Sequence, residues 1–183
     1  MQISNDKGRQ LISALVLALS ASGVGFAVWK ANEGFTAVPV IPTKGDVPTI
    51  GHGSTRYENG TAVKITDPAI TAKRAEQLAL NLMKADAKKF EASMPADTEL
   101  TDGEFNVYMD FIGQYGIGNW NKSSMRTQLL AGNHVGACKS LLKYRYAAGY
   151  DCSTLVNGQP NKRCWGVWTR QLERHAQCME ALQ

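Results

Sequence analysis

Between residues 11 and 29 the sequence has no charged residue at all, although the 183-residue chain carries 20 basic and 16 acidic side chains elsewhere. It also lacks a strong charge of either sign. The net charge of +4 and pI near 8.9 are too weak to argue for a nucleic-acid partner without a clustered basic patch. There is no internal repeat and no low-complexity tract. No two cysteines have C-x-x-C spacing, and His52, His134 and His175 stand far apart without ligand spacing. Neither a metal site nor a cofactor is therefore expected. Only one apolar run is long enough to span a bilayer, which speaks against a pore-forming protein with several spans. What remains, 44% hydrophobic residues with moderate charge, suits a folded protein and excludes a disordered or fibrous one.

The uncharged run is 19 residues long, close to the roughly 20 that a spanning helix needs. Lys7 and Arg9 precede it, which predicts a cytoplasmic start and export of the remainder. Nine of the 19 residues are small (Ser13, Ala14, Ala18, Ser20, Ala21, Ser22, Gly23, Gly25 and Ala27), so residence in a membrane is expected to be marginal. Three readings compete: a cleaved signal peptide with Ser20-Ala21-Ser22 as its small-residue site, a permanent anchor, and a buried soluble helix. The first two export residues 31–183 as one domain behind a leader of residues 1–30.

The four cysteines, Cys138, Cys152, Cys164 and Cys178, all lie in the last quarter of the chain. In an oxidising compartment an even count reads as disulfides, here with three possible connectivities. The nested one is favoured: Cys152 with Cys164 around a polar loop, and Cys138 with Cys178 outside it.

Residues 34–66 are rich in Gly, Pro, Thr and Val and read as short strands and turns, a small β lobe. From Thr71 to about Ser93 the pattern is helical, with Ala75, Leu78, Leu82, Ala85 and Phe90 at helix spacing and Pro95 as the stop. Thr101-Asp102-Gly103-Glu104 is a capping box opening the next helix, which Gly116 and Gly118 are expected to end. Further helices are expected over 124–131, 135–146 and 166–182. The fold class is α+β: a hydrophobic N-terminal helix, a small β lobe, one long connecting helix and a larger helical lobe.

Glu33 closes the expected first helix beside Gly34, and sixteen residues on, Thr49 opens Thr49-Ile50-Gly51-His52-Gly53. This order resembles the phage-type lysozymes, the endolysins with which tailed phages degrade host peptidoglycan. The family spaces a Glu, then an Asp or Cys, then a Thr. Glu33 and Thr49 match the ends, and with one inserted residue Thr43 takes the middle position, where the unshifted pattern would meet Pro42. Phe111-Ile112-Gly113-Gln114-Tyr115-Gly116-Ile117-Gly118-Asn119-Trp120 with Ser123-Ser124 is similar to a second family segment. Gly166-Val167-Trp168-Thr169-Arg170-Gln171-Leu172-Glu173-Arg174 is similar to a third. The resemblance covers nearly all of residues 31–183 and implies a lysozyme-like fold and an inverting muramidase reaction on peptidoglycan.

Such chemistry needs an acid for the departing oxygen and a group that delivers water to the opposite face. Glu33 is the candidate acid. A threonine hydroxyl does not ionise near neutral pH but can hold a water, so Thr49 and Thr43 are candidate water-positioning residues. Asp46 is an alternative base, although Gly-Asp pairs are common in turns for conformational reasons. His52, Asn119 and Arg170 are candidate substrate contacts. Arg174 is placed, like Arg170, on a solvated helix face or against substrate carboxylates, and Trp120, Trp165 and Trp168 read as core before sugar platforms.

The closeness of Glu33 to the uncharged run resembles endolysins with signal-arrest-release segments. It implies a protein held inactive in the host inner membrane through residues 11–29, N-terminus cytoplasmic, and then released to the periplasm. A monomer is expected. Two alternatives stay open: an exported, non-catalytic peptidoglycan-binding module, and a lytic transglycosylase.

Overall fold

The computed structural model describes residues 8–22, 34–42 and 46–183, with backbone only at 20–22. In chain order these form β1 (Gln10–Leu11), α1 (Ile12–Ser22), β2 (Thr36–Val40), β3 (Thr49–Gly51) and α2 (Ala72–Ala92). Then come β4 (Glu99–Leu100), α3 (Asp102–Tyr115), α4 (Ile117–Asn121), α5 (Ser124–Leu130) and α6 (His134–Ser140). After a short 3-10 turn, Leu141–Lys143, the chain ends in β5 (Tyr146–Ala147), β6 (Tyr150–Asp151), β7 (Leu155–Val156), β8 (Gln159–Pro160) and α7 (Trp165–Glu180). Residues 13–89 make one compact unit, and the rest of the described chain makes a second.

After Leu11, which belongs to β1, the part of the uncharged run that the structure describes is helical, with Leu15, Val16 and Leu19 buried. Eleven residues at about 1.5 Å rise span about half of a bilayer's hydrocarbon core. Among the described residues no helix is long and apolar enough to cross a membrane. Residues 23–29 of the run lie outside them.

The small β lobe is present as β2 paired antiparallel with β3, Thr36 opposite Gly51 and Val40 opposite Thr49. Four steps along β2 meet two along β3, so β2 bulges. Buried Pro39 sits in that irregular stretch, where a missing amide donor does no harm. Ile50, Val63 and Leu78 form the lobe's core, with Tyr57, Ile70 and Leu82 packed on it. Leu78 and Leu82 come from α2, whose start is capped by the Thr71 hydroxyl, 3.1 Å from the Arg74 amide.

The second unit is helical and richer in aromatic contacts. Phe90 meets Trp120 edge-on at 4.8 Å between ring centroids and Phe105 at 5.8 Å, while Tyr108 lies 5.2 Å from Trp120. Phe90, Tyr108 and Trp120 have no exposed surface. The capping box of α3 forms as expected: the Glu104 amide donates to the Thr101 hydroxyl at 3.1 Å, and the Thr101 amide donates to the Glu104 carboxylate at 3.0 Å. Within the same unit β1 pairs with β4, Gln10 opposite Leu100.

Two expectations are corrected here. Gly118 does not end α3. It sits inside α4, a separate helix that begins directly after Gly116. The helix expected over 135–146 stops at Ser140, and Tyr146 is in a strand. Two hairpins, β5–β6 and β7–β8, fill the stretch that sequence reading treated as helix and loop. Both disulfides have the nested connectivity, Cys138–Cys178 and Cys152–Cys164. From loop lengths of 40 and 12 residues, chain entropy alone stabilises by about 4 and about 3 kcal/mol.

Candidate functional site

The hairpin β2–β3 carries most of the residues that sequence reading placed in a site. Its turn after β3 is tight. The Ile50 amide donates to the Ser54 carbonyl at 2.9 Å and the Ser54 amide donates back to Ile50 at 3.0 Å, with Gly51, His52 and Gly53 between them. Gly51 has φ of +66°, and a Cβ there would stand 2.8 Å from the Cβ of Ala75 on α2. Both the backbone conformation and the close approach of the helix require glycine at this position.

His52 is 7% exposed. Its Nδ1 lies 3.0 Å from the carbonyl of Gly34, and its ring is 5.8 Å from that of Phe35. An imidazole that holds this carbonyl does so with Nδ1 as donor. His52 is thus tied to the backbone immediately following residue 33. Glu33 itself and Thr43 lie outside the described residues. Thr49 is half-buried, and its hydroxyl donates to the Val40 carbonyl at 3.5 Å, a long contact that leaves the oxygen's lone pairs for another donor. Asp46 is exposed.

The most perturbed carboxyl described in this unit is one that sequence reading passed over. Glu58 receives both guanidinium Nη atoms of Arg74 at 2.7 and 2.8 Å and the Asn81 amide at 3.1 Å. The Arg74 bonds hold its acidity at a pKa of about 2. Arg74 and Asn81 lie on α2, so the clamp fastens the loop after β3 to that helix. Tyr57 donates to Asp67 at 3.0 Å, and burial followed by that carboxylate raises its phenol. A Glu-x-x-x pattern ahead of a helix carries no signal for such a clamp, because its partner is 16 residues away.

In the helical unit the remaining candidates separate. Asn119 is exposed, and its amide donates to the Tyr115 carbonyl at 2.6 Å, tying α4 back to the end of α3. Arg170 is exposed on α7, and no carboxylate pairs with it among the described residues. Arg174 is different from what sequence reading placed there: it is 2% exposed, neither solvated nor open to substrate. Its Nε meets the Asp110 carboxylate at 2.5 Å, its Nη2 donates to the Asp110 carbonyl at 3.2 Å, and the guanidinium lies 5.8 Å from the Tyr115 ring centroid. Trp120 is core, with its indole N–H on the Ser93 hydroxyl at 2.9 Å.

Sequence reading also missed a buried acid–imidazole pair. Glu104 is fully buried, and its second carboxylate oxygen lies 2.6 Å from Nδ1 of His134 at the start of α6. Burial, with the Glu104 carboxylate adding to it, pushes the Tyr108 phenol far above its usual value. Among the described residues no three His, Cys, Asp or Glu side chains cluster as metal ligands would.

Comparison with known proteins gives these parts a context. A sequence-family model described as "Phage lysozyme" matches residues 30–163. The endolysin from Escherichia coli O157:H7 phage FAHEc1 is similar in structure, with a TM-score of 0.64 and 23% identity over 86% of this chain and 91% of that one. The active form of the phage P1 endolysin Lyz aligns at TM-score 0.62 and 14% identity, covering 96% of this chain and 97% of that one. A mutant of the phage P22 lysozyme aligns at 0.60 and 19%, covering 87% and 97%. Identities this low speak for the shared α+β fold alone. No curated protein matches the chain closely enough to count as a relative.

Proposed function

The chain belongs to the phage lysozyme family, a family of glycoside hydrolases, and from that premise we propose that it is an endolysin cutting the β-1,4 bond between N-acetylmuramic acid and N-acetylglucosamine in host peptidoglycan. Glu33 protonates the departing glycosidic oxygen. A water held by the hydroxyls of Thr49 and Thr43 adds to the anomeric carbon from the opposite face, with inversion. The adding water gives up a proton that neither hydroxyl takes near neutral pH, so it passes to bulk solvent, with Asp46, the carboxylate nearest in sequence, as the alternative acceptor.

The observation that supports this most is the bond between His52 and Gly34. One residue past Glu33, the backbone is fastened to the turn that follows Thr49, and adjacent Cα atoms are only about 3.8 Å apart. The chain next to Glu33 and the turn after the Thr49 strand meet at this bond, which supports reading Glu33 as the acid. His52 is better suited to this positioning task than to direct substrate contact, because it is buried. Asn119 and Arg170, both exposed, remain proposed substrate contacts, Arg170 toward stem-peptide carboxylates.

Replacing Glu33 with Gln is expected to cut the clearing of exposed cell walls by about 10² to 10⁴, the usual worth of a general acid. A variant that still cleared walls at the parent rate would assign the acid to another residue, and a parent that cleared none would leave only a binding module. Product analysis separates the two chemistries: reducing ends at N-acetylmuramic acid without anhydro rings mark hydrolysis, and anhydro products mark a lytic transglycosylase.

We further propose that residues 11–29 hold the newly made protein in the inner membrane, N-terminus in the cytoplasm, and that release to the periplasm activates it as a monomer. The small residues of the run and its closeness to Glu33 support this. Mass spectrometry of active periplasmic protein should find an intact N-terminus; a start near Gly23 would replace release by cleavage. Leu at Ser20, Ser22, Gly23 and Gly25 should keep the protein in the membrane and delay lysis.

A further inference from the structure

Residues 143–164 carry four basic side chains and a single acidic one, Asp151, which is paired with Arg145 at 3.1 Å. Lys162 and Arg163 are exposed, and among the described residues no carboxylate pairs with either. The same segment exposes four large apolar side chains on its two hairpins: Tyr146 at 57%, Tyr150 at 46%, Leu155 at 59% and Val156 at 55%. These do not serve the core. They stand on strands of two residues each, too short to gain much from pairing alone.

The segment is nevertheless well built. Each hairpin turns on two residues with positive φ, Ala148-Gly149 and Asn157-Gly158, the conformation that matches the twist of the flanking strands. The Cys152–Cys164 disulfide ties its ends, and the Cys152 amide donates to the Arg145 carbonyl at 2.8 Å. The guanidinium of Arg163 lies 4.1 Å from the Tyr150 ring centroid, and that of Arg145 lies 5.5 Å from the Tyr146 ring. Two aromatic rings are held in place beside cations, with no interior to fill.

We propose that this disulfide-stapled pair of hairpins is an accessory binding surface for peptidoglycan strands, taking sugar rings on the faces of Tyr146 and Tyr150 and stem-peptide carboxylates on Lys162 and Arg163. Charge complementarity identifies the occupant. The stem peptides are anionic, the patch is cationic, and pyranose rings present C–H faces that stack on tyrosine. A lipid surface fits less well, because only Leu155 and Val156 offer aliphatic area and the tyrosines are flanked by guanidinium groups. The inference rests on the wall-hydrolase reading for its choice of polymer, but not on Glu33 being the acid.

The test uses the full chain with Glu33→Gln so that sacculi survive the binding step. Reversing two exposed charges, Lys162→Glu with Arg163→Glu, is expected to weaken co-sedimentation with purified sacculi about tenfold at low salt. The loss should shrink as salt rises. On glycan strands stripped of their peptides the reversal should make little difference, whereas Tyr150→Ala should weaken binding to both. Thermal unfolding should be unchanged in the charge-reversed protein, which guards against a folding defect. Sacculus binding equal to the parent's in both variants would overturn the proposal. So would loss of binding to phosphatidylglycerol vesicles with sacculus binding intact. Failure of the hydrolase reading appears separately, as a parent protein that binds sacculi without clearing them.

Discussion

The hairpin β2–β3 and the helical unit around Trp120 are built on different principles. The helical core is stabilised by buried area: Phe90, Tyr108, Phe111 and Trp120 are all fully enclosed. Among the described residues the small lobe's core cluster is Ile50, Val63 and Leu78, and its loops are fastened by polar clamps, His52 to Gly34, Glu58 to Arg74 and Tyr57 to Asp67. A polar clamp is directional and gives position at small energetic gain, whereas apolar packing gives energy with little direction. If Glu33 is the acid proposed above, a lobe that positions it has more use for the first, and a unit that keeps the chain folded has more use for the second.

The comparison breaks most visibly at Trp120. Its replacement by Ala removes a buried indole and its bond to Ser93, and should cost about 3–5 kcal/mol. Chemical denaturation would show this as a fall in midpoint. If the loss were below about 1 kcal/mol, burial would not be what distinguishes the helical unit.

Gly51→Ala should come next, at about 2–3 kcal/mol, since it forces an L side chain into positive φ and pushes on Ala75. Its effect on wall clearing should exceed its effect on unfolding, because the turn it distorts holds His52. Equal losses in both would mean that the turn is merely structural.

The smallest effect sharpens the contrast. Glu58→Gln should cost about 1 kcal/mol or less at neutral pH, the worth of a partly exposed bidentate pair. The sign follows from the lowered carboxyl. The Arg74 bonds hold the folded carboxyl down to about 2, below its ordinary 4.5, so its contribution is complete above about 4.5 and fades as pH falls toward 2. Stability of the parent and the variant measured from pH 7 down to pH 2 should converge at the acid end. Curves that stay parallel would remove Glu58 from the account.

How much of this was readable beforehand varies with the range of the interaction. The capping box at Thr101 and Glu104 and the span of α2 were legible, since each depends on residues three or four positions apart. The expected helix over 135–146 failed for a local reason as well. Asn157-Gly158 between Leu155-Val156 and Gln159 is a hairpin signal, and Ala148-Gly149 a weaker one, but the apolar spacing of Leu141 and Leu142 masked the early stop at Ser140. Of the candidate site, the Thr49 strand and its glycines were legible because glycine has few reasons to recur beside a short strand. The task of His52 was not, because nothing in a Gly-His-Gly stretch says which carbonyl the ring will find.

The sequence by itself therefore determined the coarse order of a β lobe, a long helix and a helical lobe, the strand opening at Thr49, and the four cysteines from which two disulfides form. Tertiary structure decided what those elements hold. Arg174 and Asp110 are 64 residues apart, Glu104 and His134 are 30 apart, and His52 and Gly34 are 18 apart. No spacing rule links such pairs. Each forms because folding takes one member, Arg174, Glu104 or His52, out of water, and a buried charge or polar atom without a partner costs too much to leave alone.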